Sequence, residues 1–216
     1  MKTVDDDGLR ARKKRETRER IAAAARELFV AHGFDEVTVV EVAQAAQVSE
    51  ATVFNYFPTK DDLFFGGGLE QFQAATLAAV RERPPGESAI AAFRRFTVAN
   101  VAHTADPGAV ELITTAARVV DGSPSLRARE REIVAATTDA LAALLQSDGS
   151  DRLEAWAIAN ALIGVQRAIV AEIRTEILSG SRGPELITRV QQGADRILAR
   201  LEFAFVVRSE VGGDGA

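Results

Sequence analysis

Cysteine is absent from the 216 residues. That excludes a disulfide framework, a thiolate zinc site, an iron–sulfur cluster and a cysteine nucleophile, and it points to the reducing cytoplasm. Histidine occurs twice, as His32 and His103, and neither stands at motif spacing with a nucleophile, an acid or a second ligand. No catalytic centre, metal site or cofactor is therefore expected. Long hydrophobic runs are missing as well. The longest, 155–165, contains Asn160 and leads into Gln166-Arg167, far short of the roughly 20 residues of a membrane span. The opening Met1-Lys2-Thr3-Val4-Asp5-Asp6-Asp7 lacks the apolar centre of a signal peptide. No segment alternates apolar and polar residues between hairpin signals, so nothing argues for a sheet. Gly66-Gly67-Gly68 has neither the lysine nor the preceding strand of a phosphate-binding loop.

What is present is helical punctuation. Of six prolines, five stand at the edge of an apolar-periodic segment: Pro84-Pro85, Pro107, Pro124 and Pro184. Asp106 and Ser123 precede prolines as N-caps, the arrangement that opens helices. The sixth, Pro58, lies in a short connection before Thr59, a further candidate cap. The chain reads as all-α, with roughly nine helices over 12–32, 39–46, 50–56, 60–82, 88–103, 107–119, 124–146, 151–179 and 184–207. Composition shifts after Leu63, from short helices to long ones rich in Ala, Ile and Leu. The expected organisation is a disordered tail (1–11), a small helical domain (12–63), a larger helical body (64–208) and a second disordered tail (209–216).

Charge is uneven. The net charge of −5 argues at first sight against nucleic acid, because a duplex repels a protein of its own sign. Yet Leu9–Arg20 carries seven bases against two acids, a local +5 that leaves −10 elsewhere. Such a run is either a solvated tail or a nucleic-acid arm, and only its neighbourhood distinguishes them.

Residues 21–63 supply that neighbourhood. Ile21, Ala25, Leu28 and Phe29 form one apolar helix face, with Gly33 as left-handed C-cap and Phe34 closing the contact. Thr38-Val39-Val40-Glu41 is a capping box, after which Val39, Val42, Ala43 and Ala46 face a core. Ser49 caps a second short helix in which Val53 and Phe57, with Val48, point inward. Two short helices joined by a tight turn, with small residues at their closest approach, match a helix-turn-helix, although an α-hairpin of a bundle has the same spacing. The outward face, Glu50-Ala51-Thr52-Phe54-Asn55-Tyr56 followed by Lys60, favours DNA. Small and hydrogen-bonding groups enter a major groove, while Tyr56 and Lys60 suit phosphates.

These residues resemble the TetR-type transcriptional regulators. The likeness runs through Thr17-Arg18, Ile21, Ala25-Arg26-Glu27-Leu28-Phe29, Gly33-Phe34, Thr38-Val39, Val42-Ala43 and the stretch from Val48 to Phe64. It covers about the first 65 residues. The resemblance implies a homodimer whose N-terminal domains bind a palindromic operator on double-stranded DNA, usually as a repressor released by a small-molecule effector in the C-terminal domain. It makes Thr52 and Asn55 groove-facing, with Glu50, Ala51 and Phe54 beside them. It makes Thr38, Tyr56 and Lys60 phosphate contacts, and puts Thr17-Arg18 where helix 1 nears the backbone. Lys13, Lys14 and Arg15 then lie just before helix 1, where a basic arm could reach the adjacent minor groove or phosphates.

Two positions depart from the pattern. Gln47 stands where most relatives have glycine, so it must adopt a left-handed conformation or reshape the turn, at roughly 1 kcal/mol. Phe54 replaces a common tyrosine and is left with apolar contact, for instance to a thymine methyl. Glu50 either accepts from a cytosine amino group or favours the positive end of its helix dipole.

In the body, 151–179 and 184–207 are apolar around more than one stripe, so each should bury a second face. In the family this pair forms the dimer interface. The i,i+4 pairs Phe96 with Asn100 and Trp156 with Asn160 are candidate linings of a ligand cavity, or else satisfied core residues. Gly66-Gly67-Gly68 reads as a hinge or as tolerated irregularity. Besides the repressor, an activator of the same fold and a dimeric helical interaction protein without DNA binding remain open. An enzyme does not.

Overall fold

The computed structural model describes residues 4–65, 68–103, 107–181 and 184–207. Among them are ten α-helices and no strand: α1 (Val4–His32), α2 (Val39–Ala45), α3 (Glu50–Tyr56), α4 (Lys60–Phe65), α5 (Gly68–Arg81), α6 (Ala89–His103), α7 (Pro107–Gly122), α8 (Pro124–Ser147), α9 (Arg152–Leu178) and α10 (Pro184–Glu202), followed by a π-helical turn, Phe203–Val207. The all-α expectation holds.

Three boundaries differ from the sequence reading. The stretch expected to be disordered before residue 12 is helical from Val4. Apolar periodicity could not reveal it, because a solvated helix has none. Its support is local: Arg12 pairs with Glu16 four residues on at 2.7 Å. The single helix expected over 60–82 is two helices, α4 and α5, and the last α-helix gives way to the π turn after Glu202. Of the glycine triplet, Gly68 opens α5. Gly66 and Gly67, like the tail 209–216, lie outside the described residues.

The chain divides into two compact units. The first is Met1–Leu69 together with Val119–Arg129, the corner where α7 meets α8. Sequence reading ended the N-terminal domain at residue 63 and had no means of including this corner. The unit's core gathers Ile21, Ala25 and Phe29 from α1, Val42 and Ala43 from α2, Val53 from α3, Phe57, Leu63 from α4, and Val120 and Leu126 from the corner. Ser123 caps α8 through Leu126 N–H, as its place before Pro124 suggests.

The second unit is Glu70–Arg118 with Glu130–Ala216. Here α10 packs along α6 and α9, and α6 along α9. One core joins Phe93, Leu141, Ile158, Leu162 and Leu198; another joins Val101, Ile169, Ile173, Ile177 and Val190. The Arg94 Nε donates to Asp195 at 2.7 Å, and Gln191 Nε2 to the Val98 carbonyl at 3.2 Å, tying α10 to α6. Among the described helices α9 alone has the length and apolarity of a membrane span, which the count of uninterrupted apolar residues missed. Its inner face supplies both cores of this unit.

Candidate nucleic-acid interface

A seven-residue helix does not hold its shape in water, because nucleation costs more than so few hydrogen bonds return. Both α2 and α3 are of that length, so their ends and inner faces must fix them. At α2 the expected capping box forms. Glu41 N–H donates to Thr38 Oγ1 at 3.3 Å, and Thr38 N–H donates to Glu41 Oε2 at 2.7 Å. The Thr38 amide, followed by its hydroxyl, holds the Glu41 carboxyl below the usual carboxylate range. Ser49 caps α3, accepting from Thr52 N–H at 3.1 Å and sharing a 2.8 Å hydroxyl contact with Thr52 Oγ1. Val42, Ala43, Ala46, Val53 and Phe57 are buried as expected, and Val39 and Val48 are half-buried.

Between the helices, Gln47 has a φ of +54°. The turn keeps its left-handed geometry without the glycine, and Val48 N–H still reaches the Ala43 carbonyl at 2.9 Å.

Burial of Val53 and Phe57 orients the rest of α3. Glu50, Ala51, Phe54 and Asn55 are exposed, Thr52 and Tyr56 half-buried. Phe54 is 47% exposed, an apolar ring on an otherwise polar face. Thr38 is exposed at the start of α2. Lys13, Lys14 and Arg15 are exposed on α1 and make no hydrogen bond or ion pair to another described residue. They stand on a continuous helix, not on a flexible arm.

Not every expected contact residue is unoccupied. Lys60 Nζ donates to the Asp35 carbonyl at 3.1 Å and lies 4.6 Å above the Phe34 ring. Thr17 is half-buried, and so is Arg18, whose Nη1 donates to the Tyr56 carbonyl at 2.8 Å while its guanidinium sits 4.3 Å above the Phe57 ring. Sequence spacing offered no signal for a bond across 38 residues. The same holds for the corner: Arg129 pairs with Asp62 at 3.0 Å, and the hydroxyls of Ser123 and Ser125 donate to Asp35 and Asp61 at 3.4 Å.

The candidate ligand residues fall in two places within the second unit. Phe96 and Asn100 are half-buried on α6, with Phe96 5.6 Å from Phe72. Trp156 and Asn160 are exposed and line a groove of about 390 Å³ between α8 and α9, with Arg131, Thr138, Asp139 and Arg167. In each pair the amide donates to the carbonyl of its own aromatic partner, Asn100 to Phe96 at 3.0 Å and Asn160 to Trp156 at 2.8 Å. The groove's lining includes neither Phe96 nor Asn100.

Residues 21–66 match the family model for bacterial regulatory proteins of the tetR family. The chain is 32% identical over 141 residues to the HTH-type transcriptional repressor Rv1474c of Mycobacterium tuberculosis, covering 65% of this chain and 70% of that protein. It is 36% identical over 91 residues to the HTH-type transcriptional regulator TcmR of Streptomyces glaucescens, covering 42% of this chain and only 40% of that protein's length. Its fold is similar to that of FadR from Thermus thermophilus, a TetR-family transcriptional repressor solved in complex with lauroyl-CoA, with a TM-score of 0.53 at 24% identity over 84% of this chain and 93% of that one. A capped helix pair of this geometry, with such relatives extending past it into the helical body, means that the chain belongs to the TetR family of bacterial regulatory proteins.

Proposed function

We propose that this protein is a transcriptional repressor of the cytoplasm that binds a palindromic operator as a homodimer and leaves it when a small molecule occupies the body. The observation that carries the reading is the face of α3. Val53 and Phe57 are locked inward, so Ala51, Phe54 and Asn55 are held outward together. Asn55 offers an amide for an adenine edge, and Phe54 an apolar surface for a thymine methyl. Glu50 stands beside them, Thr52 at the cap, and Thr38, Tyr56 and Lys60 serve phosphates. Lys60 has three donors and only one engaged by Asp35.

Dimerisation through α9 and α10 accounts for the exposed apolar surface. Of ten large hydrophobic side chains exposed among the described residues, six follow residue 152: Leu153, Trp156, Val170, Leu178, Ile197 and Phe203. A two-fold dimer that covers them carries two copies of α3, as a palindrome with half-sites in successive major grooves roughly 34–36 Å apart requires. Effector release requires differential affinity for two conformations; a thousandfold loss of operator binding corresponds to about 4 kcal/mol.

The deciding experiment is selection of bound duplexes from fragmented genomic DNA at low salt, followed by mobility shifts with Asn55→Ala and Phe54→Ala. The proposal expects a palindrome, and loss of discrimination at one base pair per half-site in each variant, at about 1–3 kcal/mol. Recovery of no palindrome sinks it. Sedimentation of Trp156→Glu tests the interface, with a monomer as the expected product.

A further inference from the structure

Arg18 stands apart from the other cations of α1. Lys13, Lys14 and Arg15 are exposed, whereas Arg18 is half-buried with two internal partners. Those partners are at the C-terminal end of α3. The Phe57 N–H closes the last turn on the Val53 carbonyl, and the carbonyls beyond it have no donor within the helix. One of them, Tyr56 O, accepts from Arg18. A cation at a helix C-terminus is favoured by the dipole, and the guanidinium over the Phe57 ring adds a second contact, one whose planar fork a lysine matches only in part. The ring beneath it, Phe57, is 1% exposed, so one end of this bridge is anchored in the core.

We infer that Arg18 is a positioning residue for the recognition helix. It fixes the angle of α3 against α1, so that the helix carrying Lys13–Arg15 and the helix carrying Phe54 and Asn55 meet the duplex in register. This rests on the DNA-binding reading above. The charge of Arg18 acts inside the protein, on a carbonyl, rather than on a phosphate.

The test compares Arg18→Ala, Arg18→Lys and Lys14→Ala on the operator selected by the wild-type protein. Three readouts are taken: amide exchange of 53–57 in the free protein, the slope of log affinity against log salt, and the ratio of affinities for the operator and for a version with the base pair opposite α3 changed. Arg18→Ala is expected to bind about tenfold more weakly, with faster exchange in α3 but not in α10, an unchanged salt slope and reduced discrimination. Arg18→Lys keeps the hydrogen bond and loses the stacked plane, so it folds and recovers part of the affinity and discrimination. Lys14→Ala should lower the salt slope by about 0.9 and leave discrimination intact. A drop in slope of about 0.9 for Arg18→Ala, with α3 exchange and discrimination unmoved, makes Arg18 a phosphate contact and overturns the inference. So does a loss of affinity with discrimination preserved, which marks stability alone. If the wild-type protein selects no duplex, the regulator reading falls, while exchange in α3 still reports the tie to Arg18.

Discussion

The two units solve the same problem, holding helices in place, by opposite means. In the first, α2, α3 and α4 have seven, seven and six residues, and each is pinned at its start by a named cap, Thr38, Ser49 or Thr59. Large rings pack α4 against the end of α1: Phe29, Phe34, Phe64 and Phe65 form a chain of contacts at 5.0–6.0 Å. In the second, α9 and α10 run for 27 and 19 residues, and burial along their length holds them. The buried threonines there turn back on their own helices, with Thr76, Thr137 and Thr138 each donating to the carbonyl four residues earlier. Short elements depend on their ends, whereas long ones, even with a cap such as Asp151 on α9, are held mostly along a buried face. Where ends are specific, side chains between them are aimed; this is the unit that presents α3.

The sharpest way to break this comparison is to remove one buried ring from each unit. Phe57→Ala should cost about 3–5 kcal/mol and speed amide exchange in α1–α4. Phe93→Ala, fully buried in the other unit, should cost a similar amount and act on α6 and α9 instead. Acceleration of every helix by either variant would show that the units do not hold themselves separately. Thr38→Ala is next, at about 1 kcal/mol, read as a lower denaturation midpoint with faster exchange at the start of α2. A smaller gain is expected from Gln47→Gly, about 0.5 kcal/mol of stabilisation, because relief of the left-handed strain exceeds the entropy glycine adds to the unfolded chain. No gain in thermal midpoint would mean that the turn is not strained.

Acid gives the smallest effect. The folded Glu41 carboxyl lies below its ordinary 4.5, so the unfolded chain binds the proton more readily. Its contribution is complete above pH 4.5 and is lost as pH falls through the depressed value. A carbon-detected titration of Glu41 should show that depression, and Thr38→Ala, which keeps the amide donor, should relieve only the hydroxyl's smaller share of it.

Local features were readable in the sequence because their causes are local. The capping box at Thr38, the cap at Ser49 and the inward pair Val53 and Phe57 each follow from residues a few positions apart, whereas for Gln47 a left-handed and a reshaped turn both stood open until its φ of +54° decided between them. The exposed face of α3 was readable for the same reason, since two buried positions fix the remaining ones by helical period. Features that join distant segments were not. Arg18 looked like one more base in a run of seven, and nothing nearby distinguishes it from Lys14. The glycine triplet marked a soft point where α4 ends and α5 begins, but the apolar pattern on either side read as a single helix. Ser123 was legible as a cap for α8 but not as a neighbour of Asp35, 88 positions earlier.

The α7–α8 corner has a practical consequence. Because Val120 and Leu126 complete the core built by α1–α4, the polypeptide enters the first unit twice, and no single cut separates it intact. A fragment ending at Leu69 leaves behind two core side chains and the partner of Asp62. Exchange of operator preference between relatives by splicing at one point should therefore fail unless the corner residues travel too. The head of this protein is one module in space but two in sequence, so its inheritance is tied to that of the body.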